Sequence, residues 1–249
     1  ITPEKVANES PMSFYRDQIQ KMVVRLREQA KLLEREKAFL ADALADISHQ
    51  IRTPLTALNL ILERLKGRGI QGEQKQALAR EAQQMLEKME WLVTALLKMS
   101  KLDAGAITLN MQRIELEPFL KEAMAPFEIP MEVRGKAYQI RGSAGTAFLG
   151  DYSWTMEAVG NVLKNGMEHT PEGGMLLIDC QENPLYTEIK VTDSGDGIPK
   201  EDLPHLFERF YRGKNAGENS FGIGLALAQM ILSRENGVIW AQNGEEGGG

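Results

Sequence analysis

The feature that most constrains this chain is a long apolar stripe with helical spacing. Between Phe14 and Lys66, apolar residues recur in alternating steps of four and three, and only Lys37 and Pro54 interrupt them. The stripe consists of Ile19, Val23, Leu26, Ala30, Leu33, Leu40, Leu44, Ile47, Ile51, Leu58 and Leu65. A heptad pattern that continues past three or four repeats predicts a long helix that buries one side against other helices. The chain therefore begins with part of a helical bundle.

A second helix is predicted after a glycine-rich break between Lys66 and Gly72, where three glycines favour a turn. The seam then resumes at Leu78, Ala82, Met85, Met89, Leu92, Leu96 and Met99, and is widened by Leu86, Val93 and Leu97. Two helices cannot bury so wide a face. We therefore predict a helical hairpin that forms a homodimer, and with it a four-helix bundle.

After Asp103-Ala104-Gly105 the pattern changes to short strands mixed with helices. Strands are predicted at 131–133, 175–180, 188–192 and 238–241, and helices near 117–125, 153–168 and 222–234. Together with a hairpin around Asn183, this mixture predicts an α+β domain with the two layers of an α/β sandwich. The expected organisation is an N-terminal extension of the first helix (1–18), a dimerisation domain (19–104) and the sandwich domain (105–249).

Composition excludes several classes of protein. A formal net charge of -6 disfavours nucleic-acid binding, which needs clustered lysine and arginine. The single cysteine, Cys180, excludes an internal disulfide framework and fits a reducing compartment. No stretch approaches the ~18 uninterrupted apolar residues of a membrane span. We expect a cytoplasmic fragment without membrane contact of its own. Because the chain begins with Ile1 rather than methionine and stops in Gly247-Gly248-Gly249, we expect it to be a fragment of a full-length protein that is membrane-anchored.

A histidine is predicted on the exposed side of the first helix. At about 100° per residue, His49 lies opposite the midpoint of the seam positions Ile47 and Ile51. Pro54 removes a helical hydrogen bond to the Gln50 carbonyl at a cost of about 3 kcal/mol or more, which suggests a kink retained for function. Without Pro54, an ordinary solvated histidine is the more frequent explanation.

Three sequence patterns in the second domain suit a bound nucleotide. In Asp193-Ser194-Gly195-Asp196-Gly197, the glycines permit close backbone approach and Asp193 can accept from an exocyclic amine. Gly222-Ile223-Gly224 opens a helix whose N-terminus suits a phosphate. Asn161, Asn165 and His169 share one helix face, and amide oxygens suit Mg²⁺. An ordinary turn, a capped helix start and a solvated polar face are the respective alternatives.

These patterns and the histidine helix resemble the motifs of sensor histidine kinases, in the family order. The H box corresponds to 47–56, the N box to 161–170, the first G box to 193–199, the F box to 206–212 and the second G box to 222–225. The resemblance covers nearly the whole chain. It implies a dimerisation and phosphotransfer domain followed by an ATP-binding catalytic domain of the type found in gyrase and mismatch-repair ATPases.

The resemblance also implies roles for single residues. His49 is the phosphoacceptor, Thr53 orients water for removing phosphate from the partner, and Asn165 ligates Mg²⁺. Asp193 reads adenine. The other residues expected near ATP are Asn161, His169, Gly195, Gly197, Gly222 and Gly224, with Arg209, Arg212 and Lys214 as candidate phosphate contacts.

The implied activity is autophosphorylation of His49 by ATP, followed by transfer to an aspartate of a response-regulator receiver domain, with phosphatase activity toward that regulator. Gln50 stands where the family usually has an acid; its carbonyl can orient His49, and Asp46 is the nearest acid for the proton. Phe221 replaces a residue that is commonly small. Two alternatives stay open: a phosphatase-dominant scaffold with weak kinase activity, and a gyrase-like clamp that ATP closes.

Overall fold

The computed structural model describes residues 11–66, 72–213 and 221–244. One compact unit ends at Arg52 and the next begins at Thr53. Two helices come first, α1 (Pro11–Lys66) and α2 (Glu73–Asp103). The predicted order, long helices followed by a mixed domain, is confirmed.

Helix α1 presents much of its apolar stripe to solvent within a single chain. In the part of α1 that lies in the first unit, Ile19, Leu26 and Leu33 are each more than half exposed. Helix α1 also continues through Pro54. Exposed apolar side chains at heptad spacing are typical of a helix that packs against a partner helix.

The mixed domain contains two small sheets flanked by helices. Its elements are β1 (Met111–Glu115), α3 (Leu116–Val133), β2 (Ala137–Arg141), β3 (Ala147–Asp151), α4 (Tyr152–His169), β4 (Met175–Glu182), β5 (Thr187–Asp193), a short 3₁₀ helix (Leu203–His205) and α5 (Gly224–Arg234). Strand β1 pairs antiparallel with β3. In the other sheet the order is β2-β4-β5, where β2 is parallel and β5 antiparallel to β4.

The core of this domain lies between the helices and the sheets. Phe119 of α3 is fully buried and meets the rings of Phe148 and Tyr152 edge-on, at 5.3 and 5.5 Å between centroids. A Cβ on Gly166 of α4 would lie 2.7 Å from a methyl carbon of Leu176, so the glycine allows α4 to pack closely on β4. Close packing fixes the helix that carries the candidate asparagines.

The predictions of strands at 175–180 and 188–192, and of a hairpin between them, are confirmed. Strands β4 and β5 are joined at Asn183, whose Oδ1 accepts hydrogen bonds from the backbone N–H groups of Leu185 and Tyr186 at 2.9 and 3.0 Å. An asparagine that bonds to the following backbone in this way holds a tight turn. The predicted helices near 153–168 and 222–234 are confirmed as α4 and α5.

Two strand predictions are wrong. Residues 131–133 belong to the last turn of α3, which runs through Pro126 and Pro130, because Met131 and Met124 are both buried on the core side of the helix. Residues 238–241 form no strand, and within the described part of the chain they have no ladder partner. Burial of a helix face outweighs the local preference of a short apolar run.

The start of α4 is fixed by side-chain capping. Asp151 Oδ1 accepts from the N–H groups of Ser153 and Trp154, both at 3.1 Å, and its Oδ2 accepts from Asn110 N at 2.8 Å. The Glu235 carboxylate, at the end of α5, accepts from Asp151 N and lies 2.9 Å from Thr155 Oγ1. These bonds join the start of α4 to the end of α5 and so fix how the two helices pack against each other.

Candidate functional site

The α4 helix carries an unsatisfied amide. Asn161 and Asn165 are half-buried, whereas His169, one turn further, is exposed. The Nδ2 of Asn161 is buried and has no hydrogen-bond partner among the described residues. An orphaned buried donor costs about 1 to 3 kcal/mol, so it marks a position that a bound polar group would complete.

The second glycine motif lies directly against this amide. A Cβ on Gly224 would lie 3.1 Å from Asn161 Oδ1, so the glycine lets the first turn of α5 approach the asparagine. Gly222 has a φ of 66°, and a Cβ there would collide with the backbone of Phe210 and Tyr211. Backbone packing therefore requires glycine at 222, and the Asn161 side chain favours glycine at 224.

The F box and the second G box form one structural unit. Phe210 N donates to Gly222 O at 2.8 Å, which joins residues 209–211 to residues 221–224; we call these two segments the paired loop. Tyr211 donates to Asp202 Oδ1 at 2.6 Å, and this hydrogen bond raises the pKa of Tyr211 to about 12. The phenol therefore remains a donor at physiological pH and anchors the paired loop.

The first glycine motif follows β5 and meets the end of α4. Asp193 is buried, and its Oδ1 accepts from Gly195 N at 2.8 Å. A Cβ on Gly195 would lie 2.6 Å from the His169 carbonyl oxygen and 2.7 Å from Asp193 Oδ1. Gly197 has a φ of 78°, which favours glycine. The fold thus brings Asp193 close to the last turn of α4.

The three candidate phosphate contacts, Arg209, Arg212 and Lys214, differ in what the structure shows of them. Arg212 is exposed, and Lys214 lies outside the described residues. Arg209 donates through both terminal nitrogens to the two carboxylate oxygens of Asp103, each at 2.7 Å. Its guanidinium thus contacts α2 in this structure, a partner that sequence reasoning did not predict.

The phosphoacceptor candidate has the predicted exposure. His49 is exposed on α1, Gln50 is half-buried and Thr53 is exposed. Asp46 lies in the same helix, and its side chain is outside the described residues. The exposure of His49 makes its ring accessible to another protein or domain.

Sequence reasoning also missed Trp91 of α2. Its ring stacks on Phe221 with 5.8 Å between centroids and 20° between planes, and Lys164 Nζ lies 5.2 Å from the same ring centroid. One partner of the Trp91–Phe221 stack could be noticed in the sequence, because Phe221 departs from the small residue that the resemblance implies. Nothing in the local pattern of α2 distinguishes Trp91 from a seam residue.

The donor set fits a nucleotide with a hard cation. Asn161 offers an unsatisfied donor, Asp193 an acceptor, and the glycines at 195, 222 and 224 open the backbone to a flat or anionic ligand. The described residues hold no cluster of three or more histidine, cysteine, aspartate or glutamate side chains suited to a metal. A cation near Asn165 would therefore take most of its oxygen ligands from the nucleotide phosphates and water.

Comparison with known protein families explains this arrangement. Residues 39–105 match the His Kinase A phospho-acceptor domain, and residues 150–249 match the histidine kinase-, DNA gyrase B- and HSP90-like ATPase. The chain belongs to the sensor histidine kinases. The match to the phospho-acceptor domain includes His49, and the match to the ATPase includes α4 and both glycine motifs.

Individual histidine kinases are similar over most of the chain. The signal transduction histidine-protein kinase BaeS of Escherichia coli is 30% identical over 235 residues, which cover 93% of this chain and 50% of BaeS. The structure of the Acinetobacter baumannii histidine kinase AdeS has a TM-score of 0.66 at 22% identity, covering 80% of this chain and 92% of that one.

A histidine kinase solved with its partner has the same fold. ThkA in complex with the response regulator TrrA has a TM-score of 0.64 at 19% identity, covering 96% of this chain and 65% of that one. The chain spans about half the length of curated histidine kinases such as BaeS. None of its described helices has the length and apolarity that a bilayer span requires.

Proposed function

We propose that this chain is the catalytic core of an ATP-dependent protein-histidine kinase that phosphorylates His49. A ring nitrogen of His49 forms a bond to the γ-phosphorus of ATP while the bond to the ADP oxygen breaks, and ADP leaves. The phosphoryl group then passes to an aspartate in the receiver domain of a response regulator. The observation that carries the proposal is the unsatisfied Asn161 amide beside Gly224, in a chain that also exposes His49.

The nucleotide is held, in this proposal, by the two glycine motifs and the face of α4. Asp193 accepts from the adenine amine, and Gly195 and Gly197 allow the base to approach the backbone. Asn161, His169, Gly222, Gly224 and Arg212 lie toward the phosphates, with Lys214 as a further contact. Asn165 supplies an amide oxygen to Mg²⁺, which neutralises phosphate charge during transfer.

The residues around His49 position it and handle its proton. Neutral imidazole is already nucleophilic, so Gln50 orients the ring by accepting from one ring N–H and leaves the other nitrogen to attack. Asp46 takes the released proton. Thr53 orients the water that removes phosphate from the regulator.

The proposed function includes two protein partners, a second copy of this chain and a response regulator. Helix α2 exposes Leu86, Val93 and Leu97, which supports a homodimer through the helical hairpin. The complex of ThkA with TrrA supports a response regulator as the phosphoryl acceptor. A cytoplasmic position within a membrane-anchored sensor remains a prediction.

Labelling with ATP tests this proposal. After incubation with γ-labelled ATP and Mg²⁺, we expect phosphate that is acid-labile and alkali-stable, as a phosphohistidine is. The His49→Gln variant should lose the label and keep wild-type affinity for ADP. The Glu63→Gln variant is a control, because Glu63 is an exposed residue of the same helix about four turns from His49 and should not affect labelling.

Three outcomes separate the alternatives. Label that survives His49→Gln refutes the assignment of His49. Removal of phosphate from a phosphorylated regulator without detectable labelling indicates the phosphatase-dominant scaffold. ATP hydrolysis or dimer closure without any phosphoprotein indicates the gyrase-like clamp.

A further inference from the structure

We propose that α2 holds the paired loop in a latch, and that nucleotide binding opens this latch. The latch consists of two contacts, Asp103 with Arg209 and Trp91 with Phe221. This inference rests on the proposed function, because it concerns regulation of the same nucleotide site. It joins α2 to Arg209 of the F box and to Phe221, which directly precedes the second G box.

The first contact is a fork-shaped ion pair. Arg209 and Asp103 are joined by two hydrogen bonds of 2.7 Å, and the Arg209 side chain is only 25% exposed. Bidentate arginine-carboxylate pairs are geometrically specific and stronger than single-point surface pairs. The pair joins the last residue of α2 to the F box.

The second contact is aromatic. Trp91 stacks on Phe221, the residue directly before Gly222, and its ring also lies under the ammonium of Lys164. Lys164 occupies the α4 turn between Asn161 and Asn165. One side chain of α2 therefore contacts both the residue that precedes the second G box and the N box.

The two contacts are far enough apart to fix the orientation of the paired loop. Asp103 lies twelve positions after Trp91 on α2, which is about 18 Å at 1.5 Å per residue. Between them, Lys98 pairs with Glu157 of α4 at 2.8 Å, and the apolar side chains of Leu92, Ala95, Met99 and Leu102 are buried. Docking thus extends along three turns of α2.

The latch is coupled to the nucleotide site through short contacts. Arg209 and Phe221 flank the hydrogen bond from Phe210 N to Gly222 O, and Gly224 lies against Asn161. A phosphate chain that bonds Asn161 and the start of α5 must therefore contact the same segments that α2 holds. Only one or two residues separate the nucleotide site from the segments that α2 holds, so movement at one of these places is transmitted to the other.

Charge determines the direction of the coupling. Helix α2 engages two cations near the site, Arg209 by a carboxylate and Lys164 by an aromatic face. The phosphates of a nucleotide attract the same cations, so nucleotide and α2 compete for them. Because linkage is reciprocal, the factor by which nucleotide weakens the latch equals the ratio of nucleotide affinities of the open and closed forms, so a variant that weakens the latch should bind nucleotide more tightly.

The test combines affinity with the emission of Trp91, in a chain carrying Trp154→Phe and Trp240→Phe so that Trp91 is its sole tryptophan. We expect MgADP to shift Trp91 emission as the stack on Phe221 opens. We also expect Asp103→Asn to bind MgADP about five-fold more tightly, a typical size for such coupling. Phe221→Ala, which removes the stack while retaining Trp91, should act in the same direction.

Glu90→Gln is the matched control, because it removes one negative charge from an exposed position next to Trp91 and should leave the affinity unchanged. Equal or weaker MgADP affinity in both latch variants, with unchanged Trp91 emission, overturns the latch and leaves the proposed kinase function standing. A wild-type chain that binds no MgADP overturns both. Tighter binding in both latch variants but not in Glu90→Gln supports the latch.

Discussion

Gly195 lies at a contact where a larger side chain would displace Asp193. A Cβ there would lie within 2.7 Å of both the His169 carbonyl oxygen and Asp193 Oδ1. We expect Gly195→Ala to weaken ADP binding by at least ten-fold, about 1.4 kcal/mol, because the carboxylate must move. Fluorescent-nucleotide titration measures this effect.

A second glycine of the same domain provides the control. Gly160 lies within α4, next to Asn161, and a Cβ there would meet nothing within 4 Å. Gly160→Ala should retain ADP affinity and raise the free energy of unfolding by about 0.5 to 1 kcal/mol, since alanine restricts the unfolded chain. Equal loss of ADP affinity in the two variants would contradict a specific role for Gly195.

Gln50 is expected to limit the rate of phosphorylation. An amide orients His49 but does not titrate near neutral pH, whereas a carboxylate also accepts a proton. Gln50→Glu should phosphorylate faster, by up to ~10²-fold, and Gln50→Ala more slowly. Single-turnover labelling measures these rates; identical rates in all three chains would show that Gln50 is a spectator.

At the residue scale, prediction succeeded where one residue type satisfies one local demand. Gly222 and Gly197 have positive φ, and the exposure of His49 follows from helical periodicity. The contacts of Arg209 and Trp91 could not be predicted, because their partners Asp103 and Phe221 lie more than a hundred residues away in sequence. Such pairs form only when separate helices and loops pack together, and the sequence pattern within one element does not reveal that packing.

At the scale of elements, the junction of α4 and α5 depends on one half-buried carboxyl group. Burial raises the pKa of Glu235, and nearby Asp151 adds to the effect, although hydrogen bonds from Asp151 N and Thr155 oppose it. Because the folded state favours the protonated form, its contribution to stability is present below the ordinary glutamate pKa. It is lost as pH rises through the raised pKa of the folded state.

Glu235→Gln should remove this pH dependence, because an amide still accepts from Asp151 N and donates to Thr155. Urea unfolding between pH 4 and pH 7 should show wild type losing stability relative to the variant as pH rises. Glu132→Gln, at an exposed position, should parallel wild type throughout. A constant difference between wild type and Glu235→Gln across this range would rule out the proposed titration.

Elements were predictable where their pattern was long or strongly apolar. The periodicity of α1 and α2 and the apolar run in β4 sufficed. Strands β1, β2 and β3 have five residues each and were missed, since residues such as Gln112, Arg113 and Gln139 weaken the apolar signal. Helix α3 extends past Pro126 only because tertiary burial stabilises its last turns.

At the scale of the whole molecule, the exposed stripe on α2 predicts the oligomeric state. Leu86, Val93 and Leu97 are 56%, 46% and 58% exposed and lie on one face of the helix. Leu97→Glu should yield monomers in sedimentation experiments at micromolar concentration, because a charge cannot be buried unpaired in a bundle. Thr94→Glu, outside the stripe, should stay dimeric; a dimer in both variants would place the interface elsewhere.

Helix α2 packs against α5, where Arg234 donates to the Leu102 carbonyl oxygen, and this packing has a consequence during synthesis on the ribosome. Helix α2 ends at Asp103 and α5 begins at Gly224, so about 120 residues are translated between them. At 5 to 20 residues per second, roughly 6 to 24 seconds pass before α5 is synthesised and can cover the end of α2 at Leu102. During that interval the apolar side of α2 is exposed to water, so the nascent chain is prone to aggregate at this stage.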